Sequence, residues 1–329
     1  MRELTRRLLQ VLGLLLLGVA LYVAWEYGHP APPPSSEYLP ATPASPSSLR
    51  ARFFGTTTLL FDDGTNAVMV DALLTHPGLR QALFGRIASD PPVVERTLRQ
   101  ADVGHVDLLL ISHSHYDHAL DLPEIARRTG ATVVGSASTR EIGLGGGLPD
   151  AIIRHVQGGE HLDAGGFHVS VIRSRHSVPD KVPGEIGSPL RQPATIKDFK
   201  EGGTFAFLIE HDGLRILVHA SANFVPGMYR GVKADVVFLA VGGLGARSPE
   251  FGRQYWHQVV EATGAKLVVP IHWDDFLRPI DQPQLPLRRF MDNFPSAMSK
   301  IEPLARHDHV AIRYMPMLAP VDLVAAAQP

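Results

Sequence analysis

The 329-residue chain has no cysteine. Disulfides, thiolate nucleophiles, cysteine-ligated zinc and a lipidated N-terminal cysteine are therefore excluded. The compartment stays open, because a large domain needs no disulfides even in an oxidising space. Charge bias is also missing. The 31 lysines and arginines nearly balance the 33 acidic residues, for a net charge of −2, and they are spread along the chain rather than blocked. No nucleic-acid partner is expected on that basis. No internal repeat is visible. What the chain has is apolar residues, 45% of the total, enough for a sizeable core, and 16 histidines. Histidine is the commonest metal ligand among side chains, although most histidines in any protein are structural or exposed.

The first 27 residues read as a transmembrane anchor or signal segment. Arg2, Arg6 and Arg7 precede residues 8–25, in which only Gln10 is strongly polar. Eighteen helical residues span roughly 27 Å, about the thickness of a bilayer core. The arginines favour the cytoplasmic side, so the rest of the chain is expected outside it, periplasmic or extracellular, with Tyr22, Trp25 and Tyr27 at the far interface. Gly18-Val19-Ala20 offers the alternative of signal cleavage and secretion. Residues 28–48, rich in proline, serine and alanine with Pro32-Pro33-Pro34 inside, read as an extended spacer. The folded domain is then 49–329.

Within that domain, 52–61 and 66–71 read as a hairpin around the turn Asp62-Asp63-Gly64-Thr65. Residues 79–87 and 93–100 read as helical, 106–111 as a buried strand, 122–129 as a short helix and 131–135 as a strand. Runs at 151–156, 160–162 and 167–172 suggest a meander. Residues 177–203 look like a long loop, a candidate lid. A hairpin follows over 204–219, then strands at 235–241 and 266–271 around a helix at 250–263, and a last strand at 310–314. Hairpins first, with βα units between and after, suit an α/β fold of two mixed sheets packed together with helices outside, a four-layer αββα sandwich.

The strongest motif is His113-Ser114-His115-Tyr116-Asp117-His118, placed just after the strand 106–111. In a tight loop, histidines two apart can converge on one ion, while Asp117 and His118 face a second. Zinc accepts neutral imidazole and carboxylate at about 2.0–2.2 Å, and ions about 3.5–4 Å apart can act together.

This run resembles the signature of the metallo-β-lactamase superfamily, and the likeness extends in element order over roughly residues 50–315. The resemblance implies that His113, His115 and His176 hold one ion and that Asp117, His118 and His272 hold another. Zinc is the implied cofactor, as two ions or one. Asp71, at the end of a strand, stands where a carboxylate often orients a ligand histidine. Ser221, in His219-Ala220-Ser221-Ala222-Asn223, stands where most hydrolases of the superfamily have an aspartate bridging both ions. The third subclass of metallo-β-lactamases is similar in having serine there. Asp274 or His219 could compensate.

The implied activity is hydrolysis by a zinc-bound hydroxide of an ester, lactone or phosphodiester, with Asp117 orienting the nucleophile. The run from His113 to Leu122 also looks like the branch of lipid phosphodiesterases and sugar-phosphate lactonases, apart from the inserted Ala119. That points to a small-molecule or lipid substrate. Lys181, Arg191, Lys197 and Lys200 in the long loop could receive an anionic one. The other readings are a β-lactamase-like hydrolase and a membrane-tethered binding or sensor protein without catalysis. The oligomeric state is not legible.

Overall fold

The computed structural model describes residues 2–34, 37–42 and 49–328. Its strands are β1 (Arg50–Phe53), β2 (Leu59–Asp62), β3 (Ala67–Val70), β4 (Leu108–Leu110), β5 (Thr132–Gly135), β6 (Ile153–His155), β7 (His161–Ala164), β8 (Phe167–Arg173), β9 (Phe205–His211), β10 (Leu214–His219), β11 (Val236–Ala240), β12 (Leu267–Ile271), β13 (Ala311–Ile312) and β14 (Val321–Asp322). The α-helices are α1 (Arg2–Gly28), α2 (Leu79–Phe84), α3 (Pro91–Gln100), α4 (Tyr116–Ala119), α5 (Leu122–Thr129), α6 (Ala137–Gly145), α7 (Pro249–Trp256), α8 (Phe294–His307) and α9 (Leu323–Ala326).

The strands form two mixed sheets of seven, in the orders β14-β1-β2-β3-β4-β5-β6 and β13-β12-β11-β10-β9-β8-β7. Side chains alternate across each strand, and over the central strands both faces are covered. Leu59, Phe61, Val68, Val70, Leu108 and Leu110 point between the sheets and meet Val171, Phe207, Val218, Phe238 and Val269. Leu60, Met69 and Leu109 point the other way, with Leu98 of α3 and Ile125 of α5. On the outer face of the second sheet, Leu217, Val237 and Val268 pack with Tyr255 and Trp256 of α7 and Ile301 of α8. Three apolar layers between four structural ones make the αββα sandwich, and they explain why central strands read as unbroken apolar runs.

Several local expectations are corrected. The run 52–61 is two strands, broken at Gly55 and Thr56, whose φ angles are +97° and +52°. The hairpin expected around residues 62–65 stands as β2–β3, and β1 pairs antiparallel with the other edge of β2. The run 151–172 is not one meander, because β6 joins the first sheet beside β5 while β7 and β8 belong to the second. Helices α6 and α8 are additional. Ser136 caps α6 through a reciprocal bond with Thr139, and Asn293 caps α8; both are ordinary start signals. The long loop 177–203 is fastened: Ile186 N donates to Ser138 Oγ, Gln192 Nε2 to Leu120 O, and Ile87 pairs with Ala194.

Among the described residues one helix, spanning Glu3–Gly28, is long and apolar enough to cross a membrane, and its apolar window is unburied. The following segment is not detached from the domain. Leu39 N donates to Tyr314 O and Thr42 N to Pro320 O. Residues 35–36 and 43–48 of the proline-rich stretch lie outside the described residues.

Candidate metal centre

The first sheet's β3 and β4 are parallel, as are β10, β11 and β12 in the second; β8 runs with β10 because both oppose β9. The residues singled out in the sequence follow the carboxyl ends of these strands, the edge where open α/β sheets place their ligands. Asp71 follows β3, the histidine run follows β4, His176 follows β8, Ser221 follows β10 and His272 follows β12.

The fold brings six of them into two groups, His113 with His115 and His176, and Asp117 with His118 and His272. Within each group the donor atoms lie within 4.8 Å of one another. Ring centroids in the first group are 4.6–4.9 Å apart. The Asp117 Oδ2 atom is 3.5 Å from His272 Nε2 and 3.8 Å from His118 Nε2. The His113 and His118 rings meet at 3.7 Å between centroids, tilted by 45°, joining the two groups.

Hydrogen bonds fix which ring nitrogens are free. A nitrogen facing a carbonyl or carboxylate must carry the proton, which leaves a lone pair on the other. His115 Nε2 donates to Val182 O at 3.1 Å, freeing Nδ1. His176 Nδ1 donates to Ser177 O at 2.7 Å, freeing Nε2. His118 Nδ1 donates to Asp71 Oδ2 at 2.8 Å. His113 Nδ1 meets Ser112 Oγ at 3.2 Å, while its Nε2 is buried without a partner among the described residues. A buried, unpartnered imidazole nitrogen beside two others is costly unless something else binds it. Five imidazoles and one carboxylate suit zinc and also iron, nickel or copper. The residues therefore fit a pair of metal ions.

Electrostatics agree with that arrangement. Burial and the neighbouring histidines push His113 well below its usual pKa. Burial, with His115 beside it, lowers His176 to about 4. Burial alone would raise Asp117, but His118 and His272 outweigh it and hold the carboxyl below its usual range. His113, His176 and Asp117 are thus biased towards the deprotonated forms that metals need, whereas at His272 burial is outweighed by the facing Asp117, which raises the pKa.

Asp71 is fully buried and accepts from Ser112 N (2.7 Å), Ser112 Oγ (2.8 Å) and Thr57 Oγ1 (2.5 Å) besides His118. It therefore orients His118, a member of the second donor group. Asp274 lies in neither group. Its buried carboxylate accepts from Thr56 N at 2.9 and 3.1 Å, and burial raises its pKa to about 6. His219 is spent too, on the Tyr229 hydroxyl (2.6 Å) and Asn223 O (2.7 Å). Ser221 Oγ accepts from Ser177 N at 2.9 Å, and Asn223 Nδ2 donates to His176 O at 2.7 Å. The segment after β10 thus holds both edges of the peptide that joins His176 to Ser177. Ser221→Ala is expected to leave metal stoichiometry unchanged and to cost about 1 kcal/mol of stability, read by metal analysis and urea unfolding. Loss of an ion would instead make Ser221 a ligand.

Residues that sequence reasoning missed surround the six. Thr56 and Thr57 occupy the break between β1 and β2; Thr56 O accepts from His272 N. Asp180 Oδ1 lies 3.5 Å from His115 Nε2. Gly242 lies against His272, where a Cβ would come 2.7 Å from Nδ1. Phe276 packs its ring against His272 and Tyr116, at 5.7 and 6.3 Å.

Burial also lowers the pKa of His219 to about 4. An unfolded histidine titrates near 6.5, so the unfolded chain binds the extra proton between those values. Stability is fully present above about pH 6.5 and is lost as pH falls toward 4. By pH 5 the loss is about 2 kcal/mol. The urea midpoint of metal-free protein should drop between pH 7 and pH 5, and less steeply in His219→Gln. Equal slopes would sink this assignment.

Taken together, the fold and site define a two-sheet protein with two donor groups at its strand ends that could hold metal ions. The metallo-beta-lactamase superfamily model matches residues 51–250, more than half of the chain. The chain belongs to that superfamily. It is 27% identical over 207 residues to a UPF0173 metal-dependent hydrolase of Rubrobacter xylanophilus, covering 62% of this chain and 78% of the relative. It is 26% identical over 260 residues to another of that name from Cupriavidus taiwanensis, covering 73% and 80%. Among solved structures, Igni18, a metallo hydrolase of Ignicoccus hospitalis, superposes with a TM-score of 0.51 at 17% identity, covering 84% of this chain and 98% of its own. CmlA, a diiron β-hydroxylase of Streptomyces venezuelae, gives 0.50 at 19%, covering 84% and 54%. These two likenesses speak for the fold alone.

Proposed function

We propose that this chain is a metal-dependent hydrolase holding two zinc ions, or one, and cleaving an ester, lactone or phosphodiester in a small-molecule or lipid substrate. The observation that carries the reading is the pair of three-donor groups, in which hydrogen bonds set the free ring nitrogens of His115, His118 and His176. The named relatives support the hydrolase class. Bound ions of this kind supply Lewis acidity towards a carbonyl or phosphoryl oxygen and make hydroxide available near neutral pH.

The chain's own residues do the rest. Asp117 is kept ionised and faces His118 and His272, where it can accept a hydrogen bond and orient an attacking water. Tyr116 and Phe276 wall one side and exclude solvent. Lys181 follows Asp180, beside His115, and is exposed, so it can meet an anionic group on the substrate. The N-terminal helix is read as an anchor that keeps the catalytic domain outside the cytoplasm.

The test is metal content per chain of purified protein, followed by turnover on phosphodiester, lactone, ester and β-lactam panels. About two zinc ions with metal-dependent hydrolysis support the reading. Iron with no hydrolysis would favour redox chemistry. No metal under replete conditions would turn the fold into a binding or sensor module.

A further inference from the structure

The end of α1 is locked to the catalytic domain through a buried ion pair. The Glu26 side chain is wholly unexposed. Its carboxylate accepts from Arg289 N at 3.1 Å and Arg289 Nη1 at 3.0 Å. Arg288 Nη1 donates to Glu26 O at 3.1 Å, and Arg289 Nη1 also reaches His29 O. The two guanidinium groups lie over Tyr27 and Trp25, at 4.7 and 5.8 Å from the ring centroids. Desolvating a carboxylate is costly unless its partners are well placed. A loosely hinged tether has no reason to bury one.

The receiving loop, residues 275–292, also reaches the metal centre. Phe276 packs on His272. Asp292 Oδ2 accepts from Gly243 N at 3.1 Å, and Gly242 touches the His272 ring. Between Arg289 and Asp292 stands Phe290, 42% exposed, with its ring 6.5 Å from that of Tyr22. Tyr22 lies one helical turn before Glu26, which is about 6 Å further along the helix axis. If residues 8–25 cross the bilayer, Phe290 sits below the level of Glu26. That depth lies within the roughly 5–10 Å reached by apolar side chains at the boundary of headgroups and acyl chains.

We infer that the loop 275–292 seats the catalytic domain on a lipid surface: Arg288 and Arg289 grip the helix at Glu26, and Phe290 enters the bilayer boundary. One wall of the metal centre is thereby held at a fixed height against the membrane. The inference rests on the anchor reading above, and the experiment separates the two.

Because the chain has no cysteine, one nitroxide can be placed at Phe290→Cys in the full-length protein. A second protein, labelled at Asp163→Cys on β7, serves as the aqueous reference. Both are reconstituted in phosphatidylcholine–phosphatidylglycerol vesicles, recovered by flotation, and compared for collision with oxygen and with a nickel chelate. The label at position 290 is expected to favour oxygen and the one at 163 to favour nickel. Adding Glu26→Gln should shift position 290 several-fold towards nickel while the protein still floats. A floating protein whose 290 label behaves like the 163 label overturns the seating and leaves the anchor standing. Failure to float overturns both.

Discussion

Metal-stripped and reloaded His115→Ala is expected to hold about one ion fewer than the parent chain and to lose hydrolytic turnover by at least ~1000-fold. His115 Nε2 is committed to Val182 O, so Nδ1 is its only free donor, and alanine removes one of three donors from the first group. Lewis-acid stabilisation worth several kcal/mol goes with the ion, and about 1.4 kcal/mol is tenfold in rate. His118→Ala should remove the other ion by the same logic. Metal content by mass spectrometry reads stoichiometry directly, and kinetics on the best substrate of the panel read the rate. If His115→Ala keeps the parental metal content, the first group is not a metal site.

The second large effect is expected at Asp71. Its carboxylate receives His118, Ser112 and Thr57 together, and its backbone has φ +57°. Asparagine tolerates that left-handed conformation, so Asp71→Asn isolates the chemistry of the side chain. The amide offers one acceptor oxygen where the carboxylate had two. One buried donor loses its partner, at about 1–3 kcal/mol, and His118 is less firmly oriented. Affinity for the second ion should fall about 10–100-fold, measured by competition with a chromophoric chelator, with a lower urea midpoint in the same protein. Unchanged affinity would show that His118 needs no help from Asp71.

The histidine run was legible because four donors in six positions after a buried strand have few other uses. His176 and His272 were reached through resemblance and strand order, since each stands alone in the sequence. What could not be read is the support that arrives from far along the chain. Nothing near Thr56 hints that its N–H meets Asp274, a contact spanning 218 residues. The sandwich was legible from the order of hairpins and βα units, but the assignment of β6 and β7 to different sheets was not, because short half-exposed strands carry little periodicity. Helix α6 was hidden by its glycines. Gly145 is there for packing: a Cβ would come within 2.0 Å of Leu190 O, so the long loop needs the bare backbone. Its capping pair Ser136 and Thr139 was a usable signal that went unread.

The turn at Gly55-Thr56-Thr57 touches two members of the second donor group, His118 and His272. Thr57 reaches Asp71 and His118, while Thr56 holds Asp274 and the backbone of His272. In order of synthesis this turn is among the first parts of the domain to emerge, and β12 is among the last. A chain cut short before β12 would carry the histidine run yet have only two of the three donors for the second ion. Full metal loading is therefore a property of a finished chain with both sheets in place, and the ions would report completeness before they report chemistry.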